Sequence, residues 1–186
     1  MNGAGLLSID ASSQPHNCGY AYFEVLTGRL VEFGTLDDCA GVAEMNNPLQ
    51  VIAGGVRGCV ARLPVQYLSV DYPAAFSFGA RRGNLWSLMR NHQAVGCIIE
   101  AAGLPYSAVY PFFASKYGDR APELTKARIY NQYAITRRIS EHVASAIRIG
   151  EFGLRVVRQP ELLAINNLEH WLKAQAGKGK KRGQQI

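Results

Sequence analysis

A mixed α/β fold, five strands in one sheet flanked by helices, is what this chain predicts, and three observations lead there. Leu7-Ser8-Ile9-Asp10 and Leu68-Ser69-Val70-Asp71 nearly repeat each other, and each reads as a strand ending on an aspartate. After the first, short aromatic and β-branched runs separated by turn residues read as a three-strand antiparallel meander. Around the second, apolar residues recur at helical spacing between strand-like runs, which implies crossover connections and parallel pairing.

The elements follow in order. Residues 5–11 form the first strand, with Leu7 and Ile9 on one face and Ser8 and Asp10 on the other. Polar, turn-prone residues 12–17 lead to a second strand over 18–25, carrying Tyr20, Tyr22 and Phe23. Thr27-Gly28 is a tight turn into a third strand over 29–36. Asn47-Pro48 starts a helix, with Asn47 as N-cap and Pro48 at the first helical position. Leu49, Ile52, Val56, Cys59, Val60 and Leu63 share its apolar face, and Pro64 ends it. A fourth strand spans 66–72. A long helix over 83–102 has Leu85, Leu88, Met89, His92, Val95, Gly96 and Ile99 at helical spacing, and Gly103 and Pro105 stop it. The fifth strand is expected over 106–113, followed by a loop rich in Gly, Pro and charge. Helices are expected near 123–138, 140–152 and 160–175. Residues 1–175 then make a single domain, and the basic run 176–186 reads as a flexible tail.

With 186 residues, 48% of them hydrophobic, the chain is long enough for a buried core. Its mean hydropathy of −0.06 is ordinary for a globular protein. No apolar run approaches the roughly 18 residues a bilayer span needs, and no signal peptide precedes the first strand. A cytoplasmic protein without a membrane partner is the expectation. Cys18, Cys39, Cys59 and Cys97 are far apart, with no C-x-x-C, and read as reduced, buried thiols. Lys and Arg number 20 against 14 Asp and Glu, a net charge of +6. The pI is about 9.3. That balance favours a polyanionic partner.

If the two repeated strands are parallel neighbours, Asp10 and Asp71 lie side by side at roughly 5 Å. Carboxylates that close repel, and one keeps its proton unless a cation lies between them. Hard oxygen ligands favour Mg²⁺ or Mn²⁺, so metal-dependent phosphoryl transfer is the first hypothesis. The plainer alternative is that strands end in Asp because Asp begins turns. Beyond Asp71, Phe76 and Phe78 stand beside Arg81 and Arg82, a combination suited to stacking on unpaired bases and clamping phosphate. The two Phe side chains capping the core is the other reading. Ser8 and Ser69 read as small residues where a helix crosses the sheet.

The element order, with Ile9-Asp10-Ala11-Ser12 leading to Gly19-Tyr20-Ala21, resembles the RNase H-like fold and, more narrowly, the RuvC-type Holliday-junction resolvases, phage-borne members included. The resemblance spans about residues 5–152. Asp71 stands where that family's second acid ends strand four. Pro111 and Lys116 match its Pro and Lys after strand five. The resemblance implies a homodimer that cleaves branched DNA, the Holliday junction, with two Mg²⁺ or Mn²⁺ ions. Asp10 and Asp71 would hold metal, with His142 and Glu141 completing the site from a late helix. Lys116 would offset charge at the scissile phosphate. Ser145, three residues after His142 and on the same helix face, stands where the family has an acid. The alternative is therefore a domain of this fold that binds branched DNA or assembles without cutting. A nucleotide-binding ATPase of similar topology is disfavoured, because neither Gly28 nor Gly54-Gly55 sits in a recognisable phosphate-binding loop.

Overall fold

The computed structural model describes residues 3–40, 47–72, 83–112 and 125–182. Strands Gly5–Asp10 (β1), Gly19–Glu24 (β2), Leu30–Thr35 (β3), Val65–Asp71 (β4) and Val109–Phe112 (β5) make one sheet among these residues, in the order β3-β2-β1-β4-β5. The meander β1-β2-β3 is antiparallel, while β4 pairs in parallel with β1 on one side and β5 on the other. This is the mixed sheet the sequence predicts.

Strand alternation divides the core. Leu7, Ile9, Tyr20, Tyr22, Leu68, Val70 and Val109 form one apolar layer. Helices Pro48–Arg62 (α2) and Gly83–Ala102 (α3) cover it with Ile52, Val56, Cys59, Ala94, Val95, Ile98 and Ile99. The opposite layer holds Leu6, Ala21 and Phe23. It packs under helix Glu141–Arg158, called α5 below, through Val143, Ala144, Ala146, Ile147 and Leu154. Ser8 and Ser69 are fully buried beneath α5. Ser8 Oγ donates to the carbonyls of Ala146 (2.8 Å) and Ala21 (3.0 Å), and Ser69 Oγ lies 3.3 Å from the Tyr110 carbonyl. Small side chains here let the helix backbone come down onto the sheet. Gly150 completes the fit, since a Cβ there would overlap the Phe23 ring.

Several boundaries differ from expectation, each for a local reason. The third strand stops at Thr35, because Leu36–Cys39 forms a short helix (α1) with Asp37 and Asp38 in its first turn. The fifth strand begins at Val109, since Pro105 opens a tight 3-10 turn over Tyr106–Ala108. In place of a helix through 138, Lys126–Gln132 (α4) begins at the Thr125 cap and ends where Ala134 takes a left-handed φ of 49°. The next helix, α5, starts on its Ser140 cap as expected but runs six residues further, to Arg158 rather than 152. The helix expected over 160–175 is two helices, Pro160–Leu163 (α6) and Leu168–Arg182 (α7). Asn167 causes the break: its Oδ1 accepts from His170 N at 2.8 Å, an N-cap for α7. Helix α7 also runs into the stretch expected to be a tail; residues 183–186 lie outside those described.

Candidate active site

Asp10 and Asp71 are the last residues of β1 and β4. The parallel register sets Ile9 opposite Val70, so the aspartates follow as neighbours at the same sheet end. Their side chains fall on the α5 face, the same parity as Ser8 and Ser69. The third member is His142, in the first turn of α5. Its Nδ1 lies 2.9 Å from Asp10 Oδ2. This approach depends on Gly19, the residue paired with Asp10 in β2. A Cβ on Gly19 would overlap the His142 carbonyl, so glycine lets the helix start sit directly on the strand. Behind Asp10, the turn is closed by Cys18, whose Sγ donates to the Ser12 carbonyl at 3.0 Å. Asn91 of α3 accepts from Ser13 N at 3.2 Å and ties that loop to the other layer.

The two carboxyl groups are electrostatically unequal. Burial raises the pKa of Asp10, opposed by the hydrogen bond and charge of His142 and by the charge of Arg148. Burial pushes Asp71 up to about 7, and the negative charge of Asp10 adds to the shift. Asp71 Oδ1 is buried without a hydrogen-bond partner. An orphaned carboxylate oxygen whose residue feels the charge of a second carboxylate is what a hard divalent cation would satisfy, and the donor chemistry suits Mg²⁺ or Mn²⁺. Among the described residues, however, no group of three His, Cys, Asp or Glu side chains is gathered tightly enough to hold a metal ion. The aspartate pair offers hard oxygen donors for such an ion, and among the described residues no third carboxylate joins it.

Glu141 is directed elsewhere. It forms an ion pair with Lys126 of α4 at 2.8 Å, and its side chain is 71% exposed. Ser145 and Arg148 follow His142 at three-residue spacing on α5; of the three, His142 and Arg148 act on Asp10. Arg148, which the sequence offers as a cation on the helix carrying His142, suited to a phosphate track or an ion pair, acts through its charge on Asp10. His16 is exposed in the turn Pro15–Asn17. Phe76, Phe78, Arg81, Arg82 and Lys116 lie outside the described residues. Trp86 and Met89 of α3 are 69% and 43% exposed. None of the described helices is long and apolar enough to cross a membrane.

No known sequence family matches the chain, and no curated protein matches it in sequence. Solved structures do. The RuvC of Thermus thermophilus in complex with a Holliday junction substrate superposes with a TM-score of 0.58 at 16% identity, covering 83% of this chain and 92% of that one. A second Thermus thermophilus RuvC structure gives a TM-score of 0.57 at 16% identity over 88% of this chain and 99% of that one. Together with the strand order, these place the chain in the RNase H-like fold in its RuvC-like form, at a large sequence distance.

Proposed function

We propose that this chain is a divalent-metal-dependent, structure-selective endodeoxyribonuclease that cleaves branched DNA, in the manner of the RuvC-type resolvases. The observation that carries the reading is the meeting of Asp10 and Asp71 at one sheet end, with a buried Asp71 oxygen left unpartnered. A bound Mg²⁺ or Mn²⁺ would supply Lewis acidity at the scissile phosphate. Asp10 and Asp71 would hold it, releasing the proton that Asp71 otherwise keeps. His142 fixes the orientation of Asp10 through Nδ1, so one carboxylate is preset before any ligand arrives. β5 ends at Phe112, opposite Asp71, and Lys116 follows four residues later in the sequence; in the manner of the resolvases it would offset charge at the scissile phosphate. The net charge of +6 supports a DNA partner. Exposed Trp86 and Met89, one helical turn apart on α3, support a dimer, which a two-strand cut on a symmetric junction needs.

The test is cleavage of a synthetic four-way junction with Mg²⁺ or Mn²⁺. Paired nicks are expected, with Asp10→Asn and Asp71→Asn each reducing the rate by at least about 100-fold while junction binding persists. Junction binding without cutting in either metal would remove the nuclease assignment. A second reading has its own observation: the α5 side chains that act on Asp10 are His142 and Arg148, and Ser145 stands between them in the sequence where the resolvases have an acid. It describes a DNA-holding module of the same fold. Cutting that appears only in Ser145→Asp would establish it.

A further inference from the structure

On the sheet face opposite α5, two cysteines meet in a setting that the nuclease reading does not use. Gly55, Gly58, Cys59 and Arg62 recur at three- and four-residue spacing and so share one side of α2. Helix α1 rests on that side very closely. A Cβ on Gly55 would overlap the Leu36 carbonyl, and one on Gly58 the Cys39 carbonyl. With both positions bare, the Cys39 backbone sits on α2 beside Gly58, next to Cys59, and each of the two thiols shifts the acidity of the other. Arg62 donates from Nη2 to Cys39 Sγ at 3.3 Å. The same guanidinium grips Glu32 at 2.9 and 3.0 Å, and the Tyr20 hydroxyl donates to that carboxylate at 2.6 Å. Arg62 is therefore held in place, with its charge against the sulfur.

The two thiols differ in access and in character. Cys59 is fully buried, whereas Cys39 is partly exposed, and both are free. Cys39 is held below the ordinary thiol range by the hydrogen bond from Cys59, with the Arg62 charge assisting. Cys18 is pushed up to about 12 by burial, and burial raises Cys97 too. Of the acids around Cys39, Glu32 is engaged by Arg62 and Tyr20, and Asp38 by the Thr35 hydroxyl at 2.7 Å, while Asp37 on the same short helix keeps a buried Oδ1 without a hydrogen-bond partner. An accessible nucleophilic sulfur backed by a second buried sulfur is the arrangement of an attacking and a resolving cysteine.

We propose that Cys39 and Cys59 form a hydroperoxide-responsive dithiol that closes to an intramolecular disulfide. Cys39 sulfur attacks the peroxide; the O–O bond breaks, Cys39 becomes a sulfenic acid, and the peroxide leaves as water or an alcohol. Cys59 sulfur then attacks Cys39 sulfur; the S–S bond forms, the S–O bond breaks, and the hydroxyl leaves as water with the Cys59 proton. Two thiols lose two electrons and one hydroperoxide gains them. A dithiol reductant reverses the change.

The experiment treats the full native chain with a small excess of hydrogen peroxide and follows intact mass. Loss of two hydrogens, a peptide cross-link between Cys39 and Cys59, and recovery of both thiols with dithiothreitol are expected. Cys59→Ser should stop at a sulfenic acid on Cys39 that dimedone traps, and Cys39→Ser should form no disulfide. In Arg62→Gln, alkylation of Cys39 by iodoacetamide at neutral pH should slow on the order of 10-fold while that of Cys97 is unchanged. A chain with unchanged mass, a cross-link through Cys18 or Cys97, or wild-type Cys39 that alkylates no faster than Cys97 would overturn the proposal. The alkylation comparison uses the unmodified chain, so it decides even where a cysteine variant fails to fold.

Discussion

At the residue scale, the site is a problem of where one proton resides. Asp10 has His142 at 2.9 Å to stabilise its charge, and Asp71 has a buried oxygen with no partner, so the repulsion falls on Asp71. Its pKa is raised from 3.8 to about 7. Between those values the folded chain binds more protons than the unfolded chain, so this group's contribution lowers stability as pH rises through that window. Taken alone the loss is at most about 4 kcal/mol, at 1.36 kcal/mol per pH unit. Asp71→Asn should therefore melt higher than wild type near pH 8, by several degrees at about 2–4 °C per kcal/mol, and match it near pH 4. Thermal denaturation at both pH values checks this; equal melting near pH 8 would show that Asp71 carries its charge at no cost. Mg²⁺ should raise the melting temperature of wild type near pH 8 and leave the Asn variant unmoved. This pair was legible in the sequence because two strands with the same alternation both end on Asp. Glu141 was misplaced because its partner, Lys126, is brought to it by tertiary packing that no local pattern encodes. Arg148 was legible only as a cation on the helix that carries His142; its action on Asp10 follows because that helix lies on the sheet.

At the element scale, α5 delivers His142 to Asp10, and the closeness of α5 to the sheet determines whether it can. Ser8, Ser69, Gly19 and Gly150 are all small where helix and strands meet. In Gly150→Ala the new methyl would overlap the Phe23 ring and crowd Ser8 Oγ, so the helix must lift. A loss of about 1–3 kcal/mol is expected from overpacking, accompanied by weaker junction cleavage, because the lift also draws His142 away from Asp10. Gly96→Ala is the matched control. It is an exposed helical glycine of α3 with nothing within 4 Å of an added Cβ, and it should gain up to about 1 kcal/mol with cleavage unchanged. Denaturant unfolding alongside the cleavage assay compares the two, and an equal effect of both substitutions would refute the close-approach argument. The sequence revealed the long elements through periodicity, caps and prolines, as at Asn47-Pro48. It concealed the short ones. The four residues of α1 and of α6 are too few to display a period, and the cap at Asn167 lies within a run that reads as continuous helix.

At the scale of the whole molecule, strand direction was readable because a helix between two strands of one sheet implies parallel pairing, whereas strand order came only with the structure. Net charge is the other global property, and its distribution leads to the last prediction. Four of the cations, Lys178, Lys180, Lys181 and Arg182, stand together in the final turns of α7. If this end meets DNA, it does so through backbone phosphates, because such contacts scale with charge and carry no sequence information. Each phosphate neutralised releases counterions, so log K falls with log salt at a slope of about 0.9 per contact on B-form arms. Replacing all four cations with Gln should flatten that slope by up to about 3.6 and weaken binding most at the lowest salt. Preference for a four-way junction over linear duplex should persist, since the charge run recognises no shape. Fluorescence anisotropy with labelled junction and duplex, between about 50 and 200 mM salt, measures slope and preference together. An unchanged slope would mean that the C-terminal helix stays clear of the DNA. Lost junction preference with a flattened slope would instead assign shape recognition to this helix, leaving the aspartate end of the sheet to the chemistry alone.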